Sequence, residues 1–165
     1  MNLVLFRIDD RLLHAQVVVG WGNALSPDVF FIADDQTAVT PGAGELLRMG
    51  LPSEAKLMVA EVKRSPGILK EHSASAGKCV LLVRGPKQAL ELVDGGVSVG
   101  SINVGGMHFS QGKRKILPYL YVNDEDILML RRLAARVPRL TAQDVPGNPC
   151  YDVAKLLGKV DIEQD

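Results

Sequence analysis

The segment Phe6–Val17, FRIDDRLLHAQV, places two arginines, two aspartates and a histidine between two apolar runs. Arginine guanidinium groups are planar, permanently charged donors that suit phosphate oxygens. A neutral imidazole is a competent nucleophile for covalent catalysis. Arg7, Arg11 and His14 therefore have the residue types needed to bind a phosphoryl group and to accept it covalently.

The positions of these residues fit the same chemistry. A helix predicted to begin beside His14 disfavours a charged imidazole there, because the positive end of the helix dipole lies at its N-terminus. The first backbone N–H groups of that helix, near Ala15 and Gln16, would form an anion site. Asp9 and Asp10 would repel a phosphate unless they are paired. We expect them to fix the arginines or to accept a hydrogen bond from the other imidazole nitrogen.

The same segment also has two interpretations that involve no phosphate. It can be a solvated loop with local ion pairs, each contributing little to stability, and His14 can be a partly buried histidine satisfied by the backbone. Residue types alone slightly favour this interpretation, because a lone histidine is a weak signal. The segment can also belong to an α/β domain that binds a small ligand without covalent chemistry.

A second candidate segment is Asn103–Phe109, NVGGMHF. Glycines that follow a strand permit positive φ and close backbone approach to a ligand, so Asn103, Gly105 and Gly106 are predicted to form the rim of a site. An ordinary turn is the alternative. His108 is expected in an exposed loop. The first strand is followed by no Gly-x-Gly-x-x-Gly or Walker pattern, so a dinucleotide site is not indicated.

Composition limits the class of protein. The chain has 165 residues, 47% of them hydrophobic, with a formal net charge of +0. These values predict one folded domain, residues 1–165, and argue against bulk electrostatic capture of nucleic acid or of a membrane surface. The two cysteines lie far apart and fit no metal spacing, so no metal is predicted. Neither a secretory signal nor an apolar run of roughly 20 residues is found, which predicts a cytoplasmic protein.

Short apolar runs alternate with helix-like segments along the chain. Strands are predicted at Leu3–Phe6, Val29–Ala33, Lys56–Ala60, Cys79–Val83, Ser101–Val104, Tyr119–Val122 and Arg139–Val145. Helices are predicted at Ala15–Leu25, Gly44–Leu51, Pro66–His72, Pro86–Val93, Asn123–Arg136 and Tyr151–Leu157. This alternation predicts an α/β fold: a single open, mostly parallel twisted sheet with helices on both faces. Ligands of such folds bind beyond the carboxyl ends of the strands, where RIDDRLLH follows the first strand.

Three segments together resemble a known family. RIDDRLLHAQV resembles the N-terminal signature of the mannose/fructose/sorbose-family IIB components of the bacterial sugar phosphotransferase system (PTS), and INVGGMHFSQGKRK resembles that family's second segment. The similarity continues through YLYVNDEDILMLRRLAAR and covers nearly the whole chain. The resemblance implies an open α/β sheet, a cytoplasmic protein without a dissociable cofactor, and a phosphohistidine at His14 modified on Nδ1. Arg7, Asp9 and Arg11 match the family's active loop.

The resemblance also implies partners. A IIA protein or domain would donate phosphate to His14, which would pass it to a sugar entering through the membrane components IIC and IID. Arg7 and Arg11, with the amides near Ala15 and Gln16, would hold the phosphate oxygens. The chain differs from the family pattern at Ala15, usually glycine, at His108, usually small, and at Ser110, frequently basic. These differences motivate an alternative, a regulatory phosphoacceptor that delivers no phosphate to sugar. A homo-oligomer is also possible.

Overall fold

The structure is a computed structural model that describes residues 1–74 and 76–158, so the rest of the predicted domain 1–165 lies outside the described residues. The strands are β1 Asn2–Asp9, β2 Val29–Ala33, β3 Lys56–Ala60, β4 Lys78–Val83, β5 Ile102–Gly106, β6 Arg114–Leu117, β7 Leu120–Val122, β8 Leu140–Ala142 and β9 Tyr151–Asp152. After α1, described below, the helices are α2 Asp35–Val39, α3 Ala43–Arg48, α4 Ser65–Glu71, α5 Pro86–Asp94, α6 Asp124–Ala134 and α7 Val153–Leu157, and Val62–Arg64 forms a 3₁₀ turn.

Helix α1 directly follows the RIDDRLLH segment. It combines a π-helical segment, Gln16–Trp21, with an α-helical segment, Gly22–Leu25, and so confirms the predicted helix. A π-helical turn takes in more residues than an α-helical one, and such turns are frequent at functional sites. The π-helical segment begins two residues after His14, so this irregular turn lies directly beside the candidate site.

Seven strands form one sheet in the order β3-β2-β4-β1-β5-β8-β9. All neighbours are parallel except β8 and β9, which run antiparallel. The prediction of an open, mostly parallel sheet is confirmed. Because β1 pairs with β5, with Arg7 opposite Asn103 and Asp9 opposite Gly106, the two candidate segments meet at one edge of the sheet.

Apolar side chains cover both faces of this sheet. Along β2, Phe31 belongs to one buried cluster, whereas Phe30 and Ile32 belong to a second one. Successive residues of a strand point to opposite faces, so the two clusters lie on opposite sides of the sheet. Burial on both faces explains why these strands read as continuous apolar runs in the sequence.

Several predicted elements are corrected by the structure. The predicted strand at Tyr119–Val122 is β7, which pairs with β6 in a separate two-stranded sheet, and β6 itself was not predicted. Its sequence, Arg114–Leu117, starts with two charged residues and does not read as a buried strand. Ion pairs of Lys113 with Asp126 and of Arg114 with Asp124 hold this hairpin against the first turn of α6.

The ends of other elements also differ from the prediction. Strand β8 ends at Ala142 instead of Val145, because the chain leaves the sheet where the Gln143 carbonyl accepts hydrogen bonds from side chains at the site. Helix α2 was missed, and α7 begins only at Val153, since Tyr151 and Asp152 pair with β8. Among the residues that the structure describes, no helix is both long and apolar enough to cross a membrane.

Candidate functional site

An ion pair is buried at the end of β1. The side chains of Arg7 and Asp9 are both 0% exposed, and Arg7 Nη2 donates to Asp9 Oδ2 at 2.9 Å. Fully buried charges are rare in proteins unless they are paired. The interpretation of this segment as a solvated loop with weak ion pairs is therefore wrong for Arg7 and Asp9.

Asp9 also orients His14. The distance from His14 Nε2 to Asp9 Oδ2 is 3.0 Å, and the His14 side chain is 16% exposed. Burial alone would raise the pKa of Asp9, but the hydrogen bond from His14 and the charges of Arg7 and His14 outweigh it and lower that pKa. An ionised carboxylate only accepts hydrogen bonds, so Nε2 carries a proton, and in the neutral form of the imidazole the lone pair lies on Nδ1.

Arg7 lies behind Asp9 and does not face solvent. Its Nη1 donates to Asn103 Oδ1 at 2.6 Å and to the Gln143 carbonyl at 3.0 Å, and its guanidinium carbon lies 5.7 Å from the centre of the Trp21 ring. Burial lowers the pKa of Arg7, and Asp9 partly offsets this effect. The predicted direct contact of Arg7 with phosphate oxygens does not match this position, in which Arg7 supports Asp9.

Gly105 and Gly106 are buried residues of β5, so they lie in the sheet and not in a loop rim as predicted. A Cβ added at Gly105 would lie 1.6 Å from the Arg7 guanidinium carbon, and one at Gly106 would lie 3.0 Å from Asp9 Oδ1. The glycines thus make room for the buried ion pair. Asn103, the third predicted rim residue, is also buried and holds Arg7.

The remaining predicted site residues lie at the surface beside His14. The Arg11 side chain is 45% exposed; its backbone N–H donates to Asp9 Oδ1 at 3.2 Å, and its Nη2 donates to Gln16 Oε1 at 2.8 Å. Ala15 and Gln16 are exposed at the start of α1. The first N–H groups of a helix lack partners within the helix. Arg11, Ala15 and Gln16 therefore remain in positions that suit an anion on His14.

We call residues 10–15, the loop between β1 and α1, the active loop. Two residues without a predicted role, Arg84 and His108, contact Asp10 at its start. Arg84 Nη1 donates to the Asp10 carbonyl at 3.0 Å, and Arg84 Nε donates to Asp34 Oδ1 at 2.8 Å. His108 contacts the Asp10 side chain through its backbone N–H and through Nδ1, at 2.7 and 2.6 Å. Arg84 directly follows β4, which pairs with β1, so its place at a carboxyl strand end was the available signal.

The Asp34–Arg84 pair makes folding stability depend on pH. Burial would raise the pKa of Asp34, but hydrogen bonds from Arg84 and Thr37 outweigh it and lower that pKa from its ordinary 3.8. The unfolded chain then binds protons before the folded chain does, so stability is complete above the ordinary value and is lost as pH falls through the folded-state value.

We expect Asp34→Asn to be less stable by about 1–3 kcal/mol at neutral pH, because Arg84 loses a charged acceptor while the helix cap on Thr37 is kept. Its urea midpoint should also fall less steeply than that of the wild type between neutral pH and about pH 3. If the urea midpoints of the two proteins fell equally steeply with pH, the Asp34–Arg84 pair would not be a source of the pH dependence.

An open groove adjoins His14. It has a volume of about 310 Å³ and lies between the active loop, α1 and α3, with the lining residues Leu13, His14, Ala15, Val18, Val19, Leu46, Leu47 and Gly50. Val19 and Leu46 are largely exposed.

Within residues 1–74 and 76–158, no three His, Cys, Asp or Glu side chains are grouped to hold a metal ion.

Comparison with known proteins identifies the family. The sequence matches the family described as PTS system sorbose subfamily IIB component over residues 3–165. It is 33% identical over 150 residues to the N-acetylgalactosamine-specific phosphotransferase enzyme IIB component 1 of Escherichia coli (strain K12), covering 89% of this chain and 93% of that protein. It is 30% identical to the mannose-specific EIIAB component of the same strain, covering 98% of this chain and 50% of that protein.

A solved structure shows the same fold. The IIB domain of the sorbose permease from Klebsiella pneumoniae superposes with a TM-score of 0.90 at 24% identity, over 98% of this chain and 99% of that one. The open, mostly parallel sheet is the fold of that IIB domain, and the family match makes the protein a IIB-type phosphotransferase. The chain belongs to the sorbose subfamily of PTS IIB components, which confirms the resemblance of its three segments to the mannose/fructose/sorbose family.

Proposed function

We propose that His14 accepts a phosphoryl group on Nδ1 from a IIA protein or domain and passes it to a sugar during uptake through IIC and IID. The observation that carries this proposal is the 3.0 Å contact of His14 Nε2 with Asp9, which leaves the Nδ1 lone pair available. The similar mannose-specific protein, designated EIIAB, supports a IIA unit as the donor.

In the first step, Nδ1 of neutral His14 attacks phosphorus, a new N–P bond forms, and the bond to the donor nitrogen breaks. The proton on Nε2 stays in place, so the phosphorylated imidazole is positively charged and Asp9 stabilises it. Arg11 and the N–H groups of Ala15 and Gln16 hold the phosphoryl oxygens. Catalysis rests on position and charge, as is usual in phosphoryl transfer, and the protein donor makes a dissociable cofactor unnecessary.

In the second step, a sugar hydroxyl oxygen attacks phosphorus, the Nδ1–P bond breaks, and the hydroxyl proton leaves to a base of the sugar site. His14 returns to the neutral form with its proton on Nε2, ready for the next donor. Relatives named for N-acetylgalactosamine and for mannose are about equally similar to this chain. We therefore assign the choice of sugar to the membrane partners, with this chain at their cytoplasmic side.

The test is intact-mass analysis after incubation with phosphoenolpyruvate, the general phosphotransferase proteins and a matching IIA. The chain contains three histidines, so His72→Ala and His108→Ala serve as matched controls for His14→Ala. We expect one acid-labile phosphate on the wild type and on both controls, and none on His14→Ala. Nitrogen NMR of the phosphorylated protein should place the phosphate on Nδ1. Full labelling of His14→Ala, or phosphate on Nε2, would contradict the proposal.

One observation favours a second candidate function. His108, where the family usually has a small residue, reaches the Asp10 side chain and so changes the surface beside the active loop. A regulatory phosphoacceptor would be labelled on His14 but would deliver nothing to sugar. Formation of sugar phosphate by the labelled protein with membranes that contain cognate IIC and IID would exclude this alternative.

A further inference from the structure

The segment 143–148, which we call the β8 strap, contacts the buried ion pair and helix α1 at the same time. The Gln143 carbonyl accepts from Arg7 Nη1 at 3.0 Å and from Asn103 Nδ2 at 3.1 Å. The Asp144 carbonyl accepts from Trp21 Nε1 at 3.0 Å. Two successive carbonyls of the strap thus bind the Arg7 and Asn103 side chains at the buried ion pair and the Trp21 side chain on α1.

Hydrogen bonds within the β8 strap make it a defined support. The Gln143 backbone N–H donates to the Val104 carbonyl at 3.0 Å, which fixes the start of the strap to β5. Gln143 Nε2 donates to the Asn148 carbonyl at 2.7 Å, and Asn148 Nδ2 donates to Asp144 Oδ1 at 3.0 Å. The segment that carries the Gln143 and Asp144 carbonyls is therefore held by hydrogen bonds other than those from Arg7 and Trp21.

Trp21 uses both its ring face and its N–H group. The Arg7 guanidinium carbon lies 5.7 Å from the centre of the ring, within the range of a cation–π contact. The neighbouring Gly20 lies close to the strap, since a Cβ added there would be 3.6 Å from side-chain atoms of Val145 and Pro146. Trp21 therefore holds one side of a guanidinium whose other contacts are Asp9, Asn103 and Gln143.

We propose that Trp21 is a positioning residue for His14, acting through Arg7 and Asp9; this inference rests on the proposed function of His14. Trp21 and the β8 strap fix the plane of the guanidinium, the guanidinium fixes Asp9 Oδ2, and that oxygen keeps the proton of His14 on Nε2. Without the indole, Arg7 gains freedom to turn, Asp9 loses its fixed position, and His14 populates both neutral tautomers.

The test uses three variants and reads the His14 tautomer by nitrogen NMR without phosphate. Trp21→Leu removes the ring face and the donor, whereas Trp21→Phe keeps an aromatic face and loses only the donor. Leu25→Ala, in the same helix and packed against the second buried cluster, is the control for destabilised α1. We expect His14 to populate both neutral tautomers in Trp21→Leu and to keep the wild-type tautomer in Leu25→Ala. In Trp21→Phe, the population of the second tautomer should be smaller than in Trp21→Leu.

The rate of phosphorylation of His14 by phosphoramidate gives the second measurement, since this small donor needs no docking surface. We expect Trp21→Leu to be roughly 10- to 100-fold slower than the wild type, because small misplacements of a reacting group have effects of this size. A wild-type tautomer and rate in Trp21→Leu would overturn the inference while the proposed function stands. Absence of phosphate from the wild type would overturn the proposed function, and the tautomer measurement would still decide the role of Trp21.

Discussion

Asp9→Asn is expected to slow the phosphorylation of His14 by roughly 10²- to 10⁴-fold, the loss seen when a carboxylate no longer holds a catalytic imidazole in its required tautomer. Both oxygens of Asp9 accept hydrogen bonds: Oδ2 from Arg7 and His14, and Oδ1 from the Arg11 backbone. An asparagine amide has one acceptor and one donor group, so in either orientation it places a donor against a donor.

If the amide nitrogen of the new asparagine points towards His14, the imidazole must adopt the other neutral tautomer. Nε2 then accepts a hydrogen bond, the proton moves to Nδ1, and the nitrogen that should attack phosphorus has no lone pair. The same change leaves the buried Arg7 without its counter-charge, which typically costs about 3–5 kcal/mol. We therefore expect a lower urea midpoint together with the slower reaction.

The matched control for this prediction is Asp10→Asn. Asp10 contacts His108 rather than His14, so its replacement should preserve the His14 tautomer and slow the reaction less than roughly tenfold. Time courses of intact mass with phosphoramidate give both rates. A wild-type rate in Asp9→Asn, or an equal loss in both variants, would show that the Asp9 contact does not activate His14.

Gly105→Ala is expected to disrupt the site by filling the space that Arg7 occupies. The new Cβ would lie 1.6 Å from the guanidinium carbon and 1.9 and 2.0 Å from its two terminal nitrogens. These atoms are buried and hydrogen-bonded, so either the strands separate or Arg7 leaves Asp9. We expect a loss of about 3–5 kcal/mol in the free energy of unfolding, the range for a broken buried pair, and little phosphorylation of His14.

Gly44→Ala provides the matched control for Gly105→Ala. A Cβ at Gly44 meets no atom within 4 Å, and the residue lies inside helix α3. Alanine is the better helix former, so this variant should be neutral or more stable by up to about 1 kcal/mol. Urea unfolding of the two variants gives the comparison. Equal midpoints for Gly105→Ala and the wild type would contradict the space-filling argument.

The sequence by itself determined the central strands of the main sheet and the family. Strands β2 and β3 were predicted with their observed ends. Strand β2 is buried at every position and is therefore apolar throughout. The edge strand β3 is only partly buried, but its apolar run after Lys56 still marks it in the sequence. The residue types of Arg7, Arg11 and His14 were compatible with phosphate chemistry but did not select it, whereas the recognisable segments, in their order, identified the family. These features depend on local composition, which a sequence shows directly.

Only the tertiary structure decided what Arg7 does. An arginine at a strand end is ordinarily exposed, and its burial here depends on a missing Cβ at Gly105 and on the carbonyl of Gln143, both remote in sequence. Trp21 and Arg84 likewise reach this region only through tertiary contacts, with the carbonyls of Asp144 and Asp10. The orientation of His14 follows from these contacts, because the bond to Asp9, rather than the identity of the residue, fixes which imidazole nitrogen is free.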